Sequence, residues 1–243
     1  MERRYYAQHK AGLILARGGS KSIPLKNLAT VGGVPLLIRA LDAMLDADCF
    51  DAIWVSTDHG EIARAATDHP SGRVRVFHRK AEFARDESTS LEAVAEFLMA
   101  RPEVDVVGLV QCTSPFVKPE FIRRADELIS LANENYDSVF SATRTKKLRW
   151  ERRSSGKVDD GGGGGYFPAN LDPERRPRRQ DWSGDIVENG MFYFAKRSLV
   201  LNRGLLQSSG HSCSIVEVPA AFSLEIDSTL DLALAEETLK YLK

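Results

Sequence analysis

The sequence predicts a three-layer α/β domain with a mostly parallel sheet and helices on both faces. Short apolar runs rich in Val, Ile and Leu alternate along the chain with segments whose apolar residues recur at helical spacing. This alternation is typical of parallel sheets whose connecting helices pack against the sheet. The 243 residues, 43% of them hydrophobic and 28% charged, are enough to bury a substantial core.

The first half of the chain alternates strand and helix. AGLILA (11–16) and AIWVS (52–56) are apolar runs typical of buried strands. Between them, VPLLIRALDAMLDA (34–47) places its apolar residues at helical spacing and predicts a helix. A second helix is predicted from about Glu61, and VRVFH (74–78) is a third strand.

The alternation continues to residue 143. STSLEAVAEFLMA (88–100) opens with hydroxyl residues that can cap a helix, and Glu92 is placed for the reciprocal bond. DVVGLVQ (105–111) is a fourth strand, KPEFIRRADELISLANEN (118–135) a long amphipathic helix, and SVFSAT (138–143) a fifth strand.

The pattern then breaks. We interpret 144–189, which includes the basic run RTKKLRWERR and five consecutive glycines, as an irregular excursion from one domain that spans 1–243. GMFYFA (190–195) and CSIVEVP (213–219) are predicted to return to the sheet as strands, and STLDLALAEETLKYLK (228–243) to close the domain as a helix.

The composition excludes several classes of protein. The net charge of −1 gives no overall attraction to nucleic acid or to an anionic membrane, so anion binding must come from local clusters. Cys49, Cys112 and Cys213 are too few and too scattered for a disulfide framework or a zinc site. The start MERRYYAQHK lacks a signal peptide's apolar core, and no apolar run approaches about 20 residues. We therefore expect an intracellular, reducing location and no membrane partner.

Polar and cationic residues follow four of the predicted strands. Ligands of open α/β sheets bind beyond the carboxyl ends of the strands, so these residues are expected to meet. They are Arg17-Gly18-Gly19-Ser20-Lys21 after the first strand, Thr57-Asp58 after the second, Arg79, Ser88 and Ser90 after the third, and Gln111, Thr113 and Ser114 after the fourth. Cationic, amide and hydroxyl groups together suit a phosphorylated ligand with a polar ring.

The first of these loops differs from the common phosphate-binding motifs. Ser20 stands where the Walker pattern requires glycine before the lysine, and the adjacent Gly18 and Gly19 do not fit G-x-G-x-x-G. Backbone amides around two glycines can still form an anion nest, and Lys21 and Lys26 can neutralise a triphosphate. Each feature alone also fits a plain structural role, a tight turn or a solvated surface charge, so the convergence is what favours a binding site.

Five motifs, taken together, resemble the vertebrate N-acylneuraminate cytidylyltransferases, which are CMP-sialic acid synthetases. The motifs are LARGGSKSIPLKN (15–27), the arginine with STSL at 79–91, VQCTSPF (110–116), RRPRRQDW (175–182) and ENGMFYFAKR (188–197). The resemblance covers about residues 11–243. It implies a Rossmann-like nucleotidyltransferase fold.

The resemblance also implies a reaction and its residues. CTP and a sialic acid would give CMP-sialic acid and pyrophosphate, assisted by Mg²⁺, through attack of the anomeric hydroxyl on the α-phosphate. Arg178 and Lys21 would be catalytic. Lys21 would neutralise the phosphates, and Arg178 would either stabilise the charge that builds on them or orient the sugar carboxylate. The implied binding residues, with Gln111 facing the sugar acid, are Arg17, Lys26, Asn27, Arg79, Ser88, Ser90, Gln111 and Arg179.

The same resemblance places the metal ligands at Glu225 and Asp227. The family usually has Asp-x-Asp near the last strand, and the matching segment here reads Leu224-Glu225-Ile226-Asp227. Two acids at i and i+2 of an extended segment point the same way and can share one Mg²⁺. The longer arm of Glu225 is expected to shift or weaken that site. A solvated acid near a helix start is the plain alternative, and Asp231 is interpreted as a surface charge.

The resemblance extends to assembly and location. In this family the segment at 144–189 reaches a neighbouring subunit and helps to complete its active site, which implies a homodimer or a dimer of dimers. ERRPRR (174–179) also resembles a basic nuclear-import signal, so the nucleus and the cytoplasm are both expected locations. Vertebrate relatives continue into a phosphatase-like domain, so we expect this chain to be a shorter or trimmed form.

Three other functions stay open. The nearest is a CMP-sugar-acid synthetase that acts on KDO, but the segment RPRRQDW (176–182) disfavours it. The same segment does not distinguish N-acetylneuraminate from its deaminated analogue KDN. A non-catalytic nucleic-acid or partner-binding module could use the basic stretches 144–153 and 175–179, but the net charge of −1 disfavours it. The third is a nucleotide-binding regulator that keeps the fold but has lost turnover, and Glu225 is the feature that suggests it.

Overall fold

A computed structural model of the chain describes residues 8–130, 136–153 and 165–242. Its strands are β1 (Lys10–Leu15), β2 (Thr30–Val31), β3 (Val34–Pro35), β4 (Ala52–Thr57), β5 (Val74–His78), β6 (Val106–Val110), β7 (Ser138–Thr145), β8 (Trp150–Arg153), β9 (Gly165–Pro168), β10 (Asp185–Lys196) and β11 (Cys213–Glu217). Its α-helices are α1 (Leu36–Ala47), α2 (Gly60–Thr67), α3 (Ser90–Ala100), α4 (Pro119–Ser130), α5 (Arg197–Arg203) and α6 (Thr229–Leu239).

Seven strands form one sheet in the order β11-β7-β10-β6-β1-β4-β5. β10 runs antiparallel to both of its neighbours, β6 and β7. The other four pairs in this sheet are parallel. The predicted mostly parallel α/β fold is therefore confirmed, and the carboxyl ends of β1, β4, β5 and β6 lie along one edge.

Alternate side chains of the central strands divide the core between the two faces of the sheet. Leu13 packs into a cluster that includes α3 and α5, whereas its neighbour Ile14 packs into a cluster that includes α1, α2 and α4. Both side chains are fully buried. Strands that are apolar on both faces are typical of a parallel sheet covered by helices on each side.

The interval 144–189 contains more regular structure than the sequence pattern predicts. β8 and β9 form a separate antiparallel ribbon, and β10 already pairs with β7 from Asp185, which lies opposite Thr145. The ribbon carries charged side chains such as Glu151 among its apolar ones, so it lacks the simple alternation that identifies a half-buried strand. Residues 161–164, most of the glycine run, lie outside the described residues, as do 131–135 at the end of the predicted fourth helix.

The helix ends follow their local sequences. Thr89 caps α3 by accepting from the Glu92 amide at 3.2 Å, and a Glu92 carboxylate oxygen accepts from the Thr89 amide at 2.7 Å. This reciprocal pair is the predicted capping box. α5 was not predicted, because its seven residues directly follow a strand and are too short to display a helical period. None of the helices in the described ranges is long and apolar enough to cross a lipid bilayer.

Candidate active site

The loop after β1 is pressed against the end of β4. The Gly18 amide donates to Asp58 Oδ1 at 2.9 Å. A Cβ atom at Gly18 would lie 2.6 Å from the ring of His59, so a larger residue would push the two loops apart. Glycine is needed here for close approach, which is a more specific role than a flexible turn.

Asn27 braces this loop from within. Its side chain is buried, and its Nδ2 donates to the Arg17 carbonyl at 2.9 Å. The thiol of Cys112 donates to Asn27 Oδ1 at 3.0 Å, which ties the loop to the segment after β6. Burial raises the pKa of Cys112 to about 12, so the thiol stays protonated and serves as a donor. These contacts hold the backbone of Arg17 in place. That Asn27 binds nucleotide stays a prediction.

The two cations of the loop converge on one carboxylate. Arg17 Nη1 and Lys21 Nζ each lie 2.6 Å from an oxygen of Asp86. Hydrogen bonds from Lys21 and Arg17 hold the pKa of the Asp86 carboxyl below its usual range. Two cations of the loop after β1 thus meet an acid from the turn that follows β5, and this acid was not predicted from the sequence.

Arg79 is buried, and it is close enough to Arg17 for their charges to interact. It is 8% exposed, and it donates to Ser56 through Nε at 3.0 Å and through Nη2 to the carbonyl at 2.7 Å. Burial lowers the pKa of its guanidinium, and Asp58 acts in the opposite direction. Arg79 therefore adds positive charge below the loop while it joins the ends of β4 and β5.

The two serines of the STSL segment differ in their contacts. Ser88 Oγ donates to the Glu82 carbonyl at 2.9 Å and accepts from the Arg85 amide at 3.2 Å, so it shapes the turn before α3. Ser90 is the first residue of α3 and is exposed to solvent. Of these two serines, Ser90 is the more exposed to solvent.

A polar cavity of about 470 Å³ opens beside the end of β6. Its lining residues are Gln111, Thr143, Glu188, Asn189, Gly190, Tyr193, Ser223 and Glu225. Glu188 accepts from the Tyr193 hydroxyl and, at 2.8 Å, from the side-chain amide of Gln207. Gln111 lines this cavity. That it faces a sugar acid stays a prediction.

An irregularity in β10 creates the cavity. The pairing with β7 shifts register between Glu188 and Tyr193, and Gly190 adopts a φ of 71° within that interval. The Glu225 carboxylate lies over this glycine, 3.5 Å from where a Cβ atom would stand. Burial and the adjacent Glu188 raise the pKa of the Tyr193 hydroxyl, which therefore stays a donor. Glu188 and Tyr193 were not singled out from the sequence, although both lie in the quoted ENGMFYFAKR motif.

Glu225 and Asp227 lie on the same side of their segment. Ile226 between them is fully buried and its amide donates to the Thr113 carbonyl at 2.8 Å, so the two acids face away from the core. Burial, followed by the charge of Asp227, raises the pKa of Glu225. Lys26 Nζ lies 3.1 Å from Asp227 Oδ1.

This pair of acids fits the needs of a magnesium ion that also binds phosphate. Within 8–130, 136–153 and 165–242 there is no cluster of three or more Asp, Glu, His or Cys side chains suited to a metal. Mg²⁺ in nucleotide enzymes commonly takes one or two carboxylates and completes its shell with phosphate oxygens and water. Asp231 was interpreted from the sequence as a surface charge. In the structure it instead forms a reciprocal pair of hydrogen bonds with Ser228 that caps α6.

Arg178 and Arg179 lie in the excursion, on the loop before β10. Arg178 Nε lies 2.6 Å from Asp181 Oδ2, and its side chain is 75% exposed. The Arg179 carbonyl accepts from Lys146 Nζ at 2.9 Å. Both contacts are with residues of the excursion itself, Asp181 and Lys146.

Comparisons with known proteins bear on the site as a whole. A family model described as cytidylyltransferase matches residues 11–158. The chain is 43% identical over 235 residues to N-acylneuraminate cytidylyltransferase A of Danio rerio, covering 97% of this chain and 52% of that protein. It is 41% identical over 230 residues to N-acylneuraminate cytidylyltransferase of Oncorhynchus mykiss, covering 95% of this chain and 50% of that protein. The chain thus spans about half the length of these relatives.

The fold also matches solved structures. A structure of CMP:2-keto-3-deoxy-manno-octonic acid synthetase complexed with CTP superposes with a TM-score of 0.68, covering 96% of this chain and 99% of that chain. The two sequences are 15% identical. At that identity the likeness concerns the fold alone.

Replacement of Asn27 by alanine tests the bracing of the loop. We expect the substitution to lower the free energy of unfolding by about 1–3 kcal/mol, because the part-buried Arg17 carbonyl and the buried Cys112 thiol each lose a hydrogen-bond partner. Nucleotide affinity should fall about tenfold as Arg17 loses its fixed position. Urea unfolding and calorimetric titration with CTP measure the two effects.

The exposed Asn202 in α5 supplies the matched control. Asn202→Ala should leave both quantities within error of the unmodified protein. Equal affinities in the Asn27→Ala and Asn202→Ala variants would contradict the bracing role.

Proposed function

Since the chain belongs to the cytidylyltransferase family, we propose that it transfers CMP from CTP to the anomeric hydroxyl of a sialic acid, N-acetylneuraminate or KDN, and releases pyrophosphate. One observation carries this proposal: the cationic loop after β1 and the polar cavity beside Gln111 open on the same edge of the sheet. The two fish relatives named N-acylneuraminate cytidylyltransferase favour a sialic acid. The KDO-type synthetase resembles this chain in fold alone, since the two sequences are 15% identical.

The phosphate end of the site would act through fixed positive charge. In the proposed complex Arg17 and Lys21 bind the β- and γ-phosphates, and Arg79 adds a buried positive charge beneath them. Charge builds on the leaving pyrophosphate as the bond to the α-phosphate breaks. Preorganised cations stabilise that charge more in the transition state than in the ground state.

The acceptor end would recognise hydroxyl and amide groups. Glu188 and Glu225 give the cavity two acidic acceptors, and Gln111 contributes an amide. The carboxylate of the sugar is expected at the mouth of the cavity near the cations, with its hydroxyl groups directed inward. Carboxylate and amide side chains are suited to bonding the hydroxyl groups of a sugar.

We further propose that Glu225 and Asp227 hold Mg²⁺ together with the phosphates. The ion, when bound, would offset negative charge on the phosphate oxygens. Lys26 is well placed to support Asp227, since it already lies 3.1 Å from that carboxylate. Glu225 also lines the acceptor cavity, which would link the metal ligands to the reacting hydroxyl.

The excursion is proposed to act on a second copy of the chain. Its exposed apolar side chains support this: Trp150 is 53% exposed, Tyr166 69% and Phe167 44%. A homodimer or homotetramer would cover them and could bring Arg178 to the partner's rim. The basic stretch 174–179 is largely exposed, which is also consistent with a nuclear-import signal in a protein shared between nucleus and cytoplasm.

The activity itself is tested with purified protein, CTP and Mg²⁺. Pyrophosphate release is followed with N-acetylneuraminate, with KDN and with KDO as acceptors. We expect turnover with CTP and a sialic acid, and little with ATP, GTP or KDO. A folded protein that binds CTP and turns over no sugar acid would favour the regulator instead.

Asp227→Asn tests the proposed metal ligands. We expect the Mg²⁺ concentration for half-maximal activity to rise at least about tenfold, because one carboxylate of the pair is lost. Asp68→Asn, at the exposed end of α2, removes the same charge away from the rim and should leave that concentration unchanged. Unchanged magnesium dependence in both variants would rule out Asp227 as a ligand.

Arg178→Ala tests catalysis across subunits. Turnover should fall about a hundredfold with the fold intact, because a cation that stabilises transition-state charge is removed. Arg176→Ala, two residues earlier, is the control and should retain activity. Unchanged turnover in Arg178→Ala would refute its catalytic role.

Mixing inactive variants extends this test. If Arg178 serves the neighbouring site, Arg178→Ala mixed equally with Lys21→Ala restores one site in each mixed dimer, and activity should return to about a quarter of the unmodified level. Activity no higher than in either variant alone, with exchange of subunits verified, would place Arg178 in its own chain's site.

A further inference from the structure

Asp86 bonds to both cations of the loop that is proposed to bind phosphate. It lies in the turn between Ala84 and α3, and its two oxygens are divided between Arg17 Nη1 and Lys21 Nζ, each at 2.6 Å. A phosphate group that binds these cations needs the same donors. The carboxylate and the phosphate therefore compete for them.

The exchange of one anion for the other requires no buried bond to break. The side chains of Asp86 and Arg17 are 37% and 35% exposed, and that of Lys21 is 83% exposed. Exposed ion pairs are individually weak and are readily exchanged. By contrast, Asp58 accepts from the Gly18 backbone amide and belongs to the fixed frame of the loop.

The charge on Asp86 persists at the pH at which the protein would work. Its bonds to Lys21 and Arg17 hold the pKa of the carboxyl below its usual range. A retained negative charge beside the phosphate-binding cations repels a bound anion in addition to competing for its donors.

We propose that Asp86 is an internal competitor for pyrophosphate: it pairs with Arg17 and Lys21 in the empty site and re-forms those pairs as the product leaves. It lowers the affinity of the site for pyrophosphate and speeds its release. Asp86 also keeps the two cations close together before a nucleotide arrives, which makes it a positioning residue. That pyrophosphate is the product rests on the proposed function; the competition for Arg17 and Lys21 does not.

Asp86→Asn tests this competition, with Glu87→Gln as the matched control. Both substitutions remove one acidic charge from the same exposed turn, but only Asp86 pairs with Arg17 and Lys21. Calorimetric titration with pyrophosphate at low ionic strength measures affinity directly. We expect Asp86→Asn to bind pyrophosphate about threefold to tenfold more tightly than the unmodified protein, and Glu87→Gln less than about twofold. The gain should shrink in high salt, because exposed charges are screened.

Three results would overturn the inference, and the first is an unchanged pyrophosphate affinity in Asp86→Asn. Weaker pyrophosphate binding in Asp86→Asn would mean that Asp86 only positions the cations, and equal gains in both variants would mean that only the general charge of the turn matters.

The titration also separates this inference from the proposed function. Tighter binding by Asp86→Asn in a protein without cytidylyltransferase activity would support the competitor and refute the function. Unchanged pyrophosphate affinity in Asp86→Asn, in a protein that has cytidylyltransferase activity, would refute the competitor and support the function. In an active protein, product inhibition by pyrophosphate should strengthen by the same factor, while KM for the sugar acid stays unchanged.

Discussion

The bond between the Asn27 side chain and the Arg17 carbonyl fixes the part of the molecule on which the site depends. It lies beside the Cys112 thiol after β6 and is supplemented by the Gly18 amide bonded to Asp58 after β4. One loop is thereby tied to two other strand ends. Because these donors and acceptors are satisfied inside the protein, the loop keeps its shape and its cationic side chains stay available to a ligand.

Charge compensation follows from that geometry. Arg17 and Lys21 share Asp86, and Lys26 pairs with Asp227. A protein with a net charge of −1 can therefore concentrate cations at one rim. The internal carboxylates reduce the repulsion among the cations in the empty site, and they lie close enough to influence how tightly a polyphosphate is held.

Much of the fold and part of the site were accessible from the sequence, for physical reasons. Apolar periodicity identified the central strands and the helices between them, and strand ends in a parallel sheet necessarily share an edge. The ribbon of β8 and β9 was not predicted, because it buries too little surface to require the apolar alternation of a half-buried strand. Asp86 was not predicted, because a lone acid in a polar turn has no periodic signal. The structural role of Asn27 depends on its contact with Cys112, which is distant in sequence and so could not be predicted from the local pattern.

A crystal structure of the protein with CTP and Mg²⁺ tests the central claim most directly. We expect the β- and γ-phosphates to contact Arg17 and Lys21 and both Asp86 ion pairs to be open. The hydrogen bond from Asn27 to the Arg17 carbonyl should stay at 2.9 Å. Phosphates bound elsewhere on the protein, with both Asp86 ion pairs intact, would contradict it.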